Sequence, residues 1–257
     1  MNRVFLFIKA TMKQEYEHYT KEDLEVWKVL FERQVNSLKP HAVDQYYACL
    51  DQLKPALNSN KIPDFNELNE ILMKETGWSI EVVPGMIPVD DFFKLLAEKK
   101  FCSSTWLRKM NQLDYLEEPD MFHDIFGHIP LLMDQQYANF VEQFGQLGLS
   151  FINDKKILSA LQRLYWYTIE FGLLKGIDGP KIYGAGIISS YGETKHIYQK
   201  STEVINFDID WIFDHEFINS EIQNVYVEIP SFRNLYTSFE EIRDQLLKVK
   251  SRIGKTI

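Results

Sequence analysis

Apolar residues recur every three or four positions along most of the chain, which is the spacing of one face of a helix. The segment 20–35, "TKEDLEVWKVLFERQV", shows this pattern clearly. Its apolar stripe consists of Trp27, Leu30, Phe31 and Val35. Thr20 and Asp23 have the spacing of a capping box at the start of the helix, and Pro40 limits the helix at its end.

Six further segments have the same helical pattern. They are 42–53, 64–76, 89–101, 134–147, 153–176 and 239–253. Gly77 is expected to end the helix over 64–76, because glycine is the usual residue just past a helix. Gly176, followed by Pro180, is expected to close the longest helix. The final segment, "FEEIRDQLLKVKSRI", is predicted to be an amphipathic helix.

Strand signals are few. The segments "WSIEVV" (78–83), "KIYGAGII" (181–188) and "NVYVEI" (224–229) are candidates for a small sheet. The chain has no internal repeat, no low-complexity tract and no Gly/Ser-rich linker at which it would divide. We therefore predict a mainly α protein with minor β structure, organised as a single domain over residues 1–257.

Composition narrows the classes of partner. A net charge of -9 argues against a nucleic-acid surface, which depends on clustered Lys and Arg. The basic run "KVKSRIGK" near the C-terminus is interpreted as a solvated tail. The opening "MNRVFLFIKATM" is too short for a membrane span and lacks a signal-peptide cleavage site. Two cysteines, Cys49 and Cys102, are too few for a disulfide framework, so we expect a cytoplasmic protein that binds neither membrane nor nucleic acid.

Two histidines, His123 and His128, lie five residues apart in "EEPDMFHDIFGHIPLLM". On a regular α-helix this step leaves the side chains about 140° apart, so they would not face one atom. We expect Gly127 to adopt a left-handed conformation that ends the helix, with Pro130 discouraging its continuation, so that the two imidazoles converge. The alternative is that each histidine hydrogen-bonds a backbone carbonyl within the core.

Glu170 lies in "LQRLYWYTIEFGLL", where nearly every neighbour is apolar or aromatic. A buried carboxylate is costly unless a cation compensates it. Arg163 precedes it by seven residues, too far along a helix to pair easily, which makes a metal the better partner. Two imidazoles and one carboxylate are the ligands of non-haem Fe(II) oxygenases, but zinc hydrolases use a similar set. The ligand types are therefore compatible with both a non-haem iron oxygenase and a zinc hydrolase.

Three longer segments carry a family resemblance. They are "WLRKMNQLDYLEEPDMFHDIFGHIPLL" (106–132), "RLYWYTIEFGL" (163–173) and "YGAGIISSYGE" (183–193). In this order they resemble the pterin-dependent aromatic amino acid hydroxylases, and most closely the short bacterial phenylalanine 4-hydroxylases. The resemblance implies a catalytic domain alone, a helical basket around a non-haem iron site. It implies no regulatory domain and no tetramerisation helix, and hence a monomer.

The resemblance also assigns roles to individual residues. It implies that His123, His128 and Glu170 bind the iron. It implies that Arg108 holds the substrate carboxylate and that Ser189 supports a ligand histidine near the substrate. It implies that Trp166 and Ser189 take part in catalysis. It also implies that Trp166 lines the aromatic substrate pocket together with Pro119 and Tyr165. Phe92 is expected to stack on the pterin. Asp124 is expected beside it, where animal members have a glutamate.

The expected reaction is hydroxylation of L-phenylalanine to L-tyrosine with O2, Fe(II) and a tetrahydropterin, either tetrahydrobiopterin or a relative of it. Tyrosine and tryptophan remain alternative substrates, because one or two pocket residues decide the choice. A zinc hydrolase with the same three ligands is a further alternative. A non-enzymatic module with a structural metal is another, and its metal would have four protein ligands.

Overall fold

Residues 12–114, 116 and 118–253 are the part of the chain that the computed structural model describes, and most of them are helical. The α-helices are α1 (Lys21–Leu38), α2 (Asp44–Leu53), α3 (Phe65–Glu75), α4 (Val89–Ala97), α5 (Gln135–Ser150), α6 (Lys155–Tyr165), α7 (Ala185–Ser189), α8 (Tyr191–His196), α9 (Ile209–Asp214), α10 (Phe232–Thr237) and α11 (Phe239–Ile253). The opening apolar run and most of the basic tail lie outside the residues or side chains described. The mainly α prediction is confirmed.

Shorter elements complete the chain. The strands are β1 (Ser79–Val82), β2 (Lys100–Ser103), β3 (Leu173–Leu174), β4 (Lys181–Ile182), β5 (Glu203–Asn206) and β6 (Val225–Ile229). Two π-helical turns, His123–His128 and Trp166–Glu170, interrupt the regular helical structure. Single turns of 3-10 helix occur at Tyr16–His18, Met110–Gln112 and Pro130–Met133.

The local signals at the ends of α1 and α3 act as predicted. The Asp23 backbone N–H donates to Thr20 Oγ1 at 3.2 Å, and the Thr20 N–H donates to Asp23 Oδ2 at 2.8 Å, which completes the capping box. Past the end of α3, Gly77 has a φ of 76°, and its N–H donates to the Leu72 carbonyl at 3.1 Å. Such a left-handed residue is readily adopted by glycine and stops the helix.

Two predicted helices were too long. The helix predicted over 89–101 ends at Ala97, and the chain turns through Lys99, whose φ is 57°, into β2. The helix predicted over 153–176 ends at Glu170, well before Gly176. Just past this end the chain packs closely at Gly172, where a side chain would lie 2.2 Å from the Thr168 carbonyl oxygen.

The strands form two sheets rather than one. β1 and β2 pair in parallel, and the other sheet has the order β4-β3-β6-β5. The strands predicted over 78–83 and 224–229 are present, but they belong to different sheets. The prediction for 181–188 was wrong beyond Ile182, since α7 begins at Ala185. Within the described residues, no helix has the length and apolar character needed to cross a bilayer.

The pair α4 and α5 packs closely, and this contact positions the wall that carries Phe92. A side chain at Gly148 of α5 would meet the Phe93 ring at 2.1 Å, so only glycine allows the approach. Phe93 itself is 1% exposed, and its ring lies 5.6 Å from that of Phe144. The contact therefore depends on a missing Cβ.

We predict that Gly148→Ala lowers the free energy of unfolding by about 1–3 kcal/mol, because the added methyl group overpacks the helix pair. Chemical denaturation followed by circular dichroism would measure this. Asn139→Ala, an exposed position on the same helix, is the matched control and should change stability little. Equal stability of both variants would contradict the packing argument.

A candidate metal centre between two cavities

The π-helical turn His123–His128 explains how two histidines five residues apart face the same point. Each backbone hydrogen bond of a π-helix spans five residues, so side chains at that separation lie on one face. The convergence was predicted, but its cause was wrong. Gly127 is not left-handed, and Ile129 continues in right-handed helical conformation into a 3-10 turn that begins with Pro130.

Gly127 has a different function. A side chain there would lie 2.9 Å from the Ala185 carbonyl oxygen, so the glycine allows α7 to pack against the π-helical turn. Ser189, at the end of α7, is thereby brought to the first histidine. Its hydroxyl lies 2.9 Å from His123 Nδ1, which leaves Nε2 of the same ring facing the centre. This geometry agrees with the role expected of Ser189, which is to hold a ligand histidine in position by a hydrogen bond.

The second π-helical turn, Trp166–Glu170, supplies the carboxylate. The Phe171 N–H donates to the Trp166 carbonyl at 2.8 Å, a five-residue bond that places the two aromatic rings together, with centroids 4.5 Å apart. Gly186 of α7 passes over the Glu170 side chain, and a Cβ there would be 2.8 Å from Oε1. Close packing of small residues thus holds the carboxylate in place.

Three side chains meet at the candidate centre: His123, His128 and Glu170. The two Nε2 atoms are 3.3 Å apart, and the Glu170 oxygens lie 3.3 Å from His123 Nε2 and 3.1 Å from His128 Nε2. Bonds of about 2.1 Å to a common ion would separate neighbouring donors by about 3.0–3.4 Å for octahedral to tetrahedral angles. The donor set therefore fits one divalent metal ion, and it does not distinguish iron from zinc.

The electrostatics of the three groups suit a cation. Burial by itself raises the pKa of Glu170, but the neighbouring His123 and His128 outweigh it, and the net pKa is lowered. Burial lowers the pKa of His123 to about 4, so its imidazole is neutral near pH 7 and able to bind a metal. Arg163 does not compensate the carboxylate, as expected, since it pairs with Glu216 at 3.0 Å.

Arg108 lies in the wall beside the centre and is 7% exposed. Its Nε and Nη2 donate to the two oxygens of Asp120 at 2.8 and 2.9 Å. Burial raises the pKa of Asp120, but the guanidinium more than offsets this and lowers it. The carboxylate also accepts the His123 backbone N–H at 3.1 Å, so Asp120 couples the arginine to the π-helical turn His123–His128.

Two cavities meet at the three ligands. One, of about 470 Å³, is called the Arg108 cavity and is also lined by Ser189 and Glu193. The other, of about 270 Å³, is called the Phe92 cavity and is also lined by Asp124 and Phe101. The residues that line both are Met86, Pro119, His123, Tyr165, Trp166 and Glu170. The predicted site residues therefore surround a single centre.

The predicted pterin residues are held in different ways. Phe92 on α4 is in edge contact with Tyr165, with ring centroids 5.2 Å apart. Asp124 accepts the Ser104 backbone N–H at 2.9 Å, which fixes the carboxyl at the edge of the Phe92 cavity. His128 lies beneath Phe101, with ring centroids 4.5 Å apart. An aromatic and a carboxyl thus face one cavity, next to the ligands.

The sequence reasoning overlooked several residues of this site. Asp120 had a signal, since an acid twelve residues from Arg108 in the same motif could pair with it. Glu193 also had a signal, since it is the last residue of the motif over 183–193, whereas Phe217 and Gln223 had none, because they lie in the segment before β6, outside the three motifs. Burial raises the pKa of Glu193 to about 7, although the hydrogen bonds from Tyr226 and Gln223 lower it.

The chain matches a family model described as biopterin-dependent aromatic amino acid hydroxylase over residues 6–253. The chain belongs to this family. Membership confirms the resemblance seen in the three motifs, and it decides against the zinc hydrolase and the structural-metal alternatives, which the three ligands alone left open. In this hydroxylase, the three residues that could hold a metal ion lie at the meeting point of two cavities.

Known relatives agree with the family assignment. The chain is 41% identical over 230 residues to the phenylalanine-4-hydroxylase of Chromobacterium violaceum, covering 88% of this chain and 75% of that protein. A crystal structure of that enzyme with iron(III) and 7,8-dihydrobiopterin has a TM-score of 0.85 at 41% identity, covering 93% of this chain and 86% of the other. A structure with iron and phenylalanine has a TM-score of 0.84 at 38% identity, covering 92% and 87%.

We predict that Glu170→Gln weakens binding of a divalent metal by at least about a hundredfold, because it removes the only charged ligand of the described triad. Titration with Co(II), followed by visible absorption, would measure the affinity. Glu216→Gln is the matched control, since it removes an exposed carboxylate paired with Arg163 and should leave metal affinity unchanged. Equal affinities of the two variants would exclude Glu170 as a ligand.

Proposed function

We propose that this hydroxylase is a phenylalanine 4-monooxygenase, which converts L-phenylalanine to L-tyrosine with O2, Fe(II) and a tetrahydropterin. The observation that carries the proposal is the triad of two histidines and one glutamate where two cavities meet, one lined by the buried Arg108 and one by the half-buried Phe92. The support from relatives is that the Chromobacterium enzyme is named for this substrate and has been crystallised with iron and dihydrobiopterin and, separately, with iron and phenylalanine.

His123, His128 and Glu170 would hold the iron. Together with a reduced pterin, the iron would supply the electrons and the O2 activation that side chains cannot provide. Because these residues lie where the two cavities meet, a metal held by them would face the spaces in which the reactants would bind. Ser189 fixes the His123 ring through Nδ1, so that Nε2 keeps its direction.

Arg108 would bind the carboxylate of the amino acid at the far side of its cavity. Asp120 already occupies Nε and Nη2 of the guanidinium, so the substrate meets an arginine whose orientation is fixed. A guanidinium held in this way recognises a carboxylate with little loss of conformational freedom. It also sets the distance between the aromatic ring and the triad, a positioning effect.

Aromatic side chains would enclose the substrate ring and the pterin. Pro119, Tyr165 and Trp166 line both cavities, so they would contact the substrate on one side and the pterin on the other. Phe92 would stack on the pterin ring, and Asp124 would accept a hydrogen bond from it, directly or through water. These roles follow from the family resemblance and from the position of both side chains in the Phe92 cavity.

The direct test uses protein reconstituted anaerobically with Fe(II), a tetrahydropterin and an equimolar mixture of phenylalanine, tyrosine and tryptophan, in which only the phenylalanine is isotopically labelled. Exposure to air should produce labelled tyrosine from phenylalanine, and mass spectrometry would identify it. Omission of iron or of pterin should abolish the product. Preferred hydroxylation of tryptophan or tyrosine would identify a different member of the family, and no product at all would contradict the proposed activity.

We predict that Arg108→Ala raises the KM for phenylalanine at least about tenfold, because an ion-paired hydrogen bond to the substrate is lost. Metal content, measured by atomic emission, should stay unchanged, since Arg108 is not a ligand. Arg243→Ala is the control, because it removes an exposed guanidinium on α11 that lines neither cavity. Loss of the metal in Arg108→Ala would count against its role in substrate binding.

We also propose that the protein acts as a single-domain monomer in the cytoplasm. Both cysteines are free, and Cys49 is buried, which suits a reducing compartment. Light scattering should give a mass near 30.4 kDa. A mass of twice that value would contradict the monomer.

A further inference from the structure

Gln223 is a buried amide that lies just before β6, and it is 7% exposed. Its Oε1 accepts the indole N–H of Trp166 at 3.0 Å. Its Nε2 donates both hydrogens, to the Ile218 carbonyl at 2.7 Å and to the Glu221 carbonyl at 2.9 Å. One acceptor site and both donors of the side chain are therefore in use.

The partners of Gln223 belong to different walls of the site. Trp166 lines both cavities, and it stacks on Phe217, with ring centroids 4.1 Å apart and an interplanar angle of 11°. Phe217 belongs to the loop 217–222, and residues 219–222 of this loop line the Arg108 cavity. The loop thus carries the ring that supports Trp166 and, a few residues later, the substrate-side wall.

A third wall is attached through the backbone. The Gln223 N–H donates to Glu193 Oε1 at 3.0 Å, and the Tyr226 hydroxyl donates to Glu193 Oε2. Glu193 is 6% exposed, lies on α8 and lines the Arg108 cavity. Gln223 therefore connects the π-helical turn Trp166–Glu170, the loop 217–222 and α8 at one buried point.

The chemistry of an amide is required at this point. The indole N–H needs an acceptor, while the two carbonyls need donors, and glutamine supplies both from one planar group. A flipped amide would place its NH2 group against the indole N–H and its oxygen against two carbonyls. A carboxylate would keep the bond to Trp166 but repel the loop. The hydrogen bonds thus define one orientation of the side chain.

We infer that Gln223 is a positioning residue for the aromatic substrate, acting through Trp166 and the loop 217–222. The inference rests on the proposed hydroxylation of an aromatic amino acid. Without the amide, the indole and the loop must be ordered when the substrate binds, which weakens binding. A ring that is held less accurately is also oxidised less often for each pterin consumed.

The test compares three variants. Gln223→Leu removes every hydrogen bond of the side chain. Gln223→Glu keeps the size of the side chain and the acceptor for Trp166, but it places a carboxylate oxygen against the Ile218 and Glu221 carbonyls. Gln14→Leu is the matched control. The Gln14 amide also hydrogen-bonds to backbone groups, accepting the Phe65 N–H at 2.9 Å and donating to the Pro63 carbonyl at 2.9 Å. Gln14 lines neither cavity.

For Gln223→Leu we expect the KM for phenylalanine to rise about tenfold, the loss of about one net hydrogen bond. The tyrosine formed per pterin oxidised should fall, while the metal content stays unchanged. Gln223→Glu should raise KM as well. Gln14→Leu should lower the melting temperature and leave both KM and the tyrosine-to-pterin ratio unchanged, which separates positioning from general stability.

A second readout needs no turnover. In protein labelled with 5-fluorotryptophan, the fluorine resonance of residue 166 is assigned by its loss in Trp166→Phe. It should shift in Gln223→Leu and move less in Gln223→Glu, which keeps the acceptor. The dissociation constant of phenylalanine for the Co(II)-loaded protein, from calorimetry, should rise in both variants.

These measurements keep the two proposals apart. A wild-type protein that makes no tyrosine but binds phenylalanine contradicts the proposed function, and the fluorine shift and the dissociation constant still test Gln223. If Gln223→Leu does not fold, the isosteric Gln223→Glu decides the question. A folded Gln223 variant with wild-type KM, product ratio and phenylalanine affinity would overturn the inference.

Discussion

A buried carboxylate that needs a cation is the constraint on which the rest of this structure depends. Glu170 is 8% exposed, and the two imidazoles that face it are its polar partners in the candidate centre. Because a lone carboxylate among aromatic rings is costly, the surrounding elements hold the two imidazoles within about 3 Å of it. A divalent metal satisfies this arrangement directly, since it interacts with all three groups at once.

Both segments that carry the ligands depart from the α-helix in the same way. The π-helical turns His123–His128 and Trp166–Glu170 each lose a regular four-residue hydrogen-bond pattern and gain a face on which residues five apart align. Glycines at positions 127 and 186 allow α7 to pack against both turns. The local helical irregularity is therefore stabilised by tertiary packing, and it is found where the chemistry is proposed.

The walls around the ligands are held by buried polar groups with fixed orientation. Asp120 accepts hydrogen bonds from the Arg108 guanidinium and from a backbone N–H of the π-helical turn His123–His128. Gln223 connects Trp166 to the loop before β6. Each group satisfies hydrogen bonds that would otherwise be lost on burial, and each links a reactant-facing side chain to a rigid element. Preorganisation of this kind reduces the ordering that a substrate must impose.

Sequence alone determined the features that depend on neighbouring residues. The capping box of Thr20 and Asp23, the stop at Gly77 and the helical periodicity were readable, since each involves atoms a few positions apart. The three motifs identified the family and the candidate ligands. Tertiary structure decided the rest. The early end of α6, the π-helical turns and the contribution of Gln223 depend on contacts between distant segments, and no local pattern encodes a contact of that range.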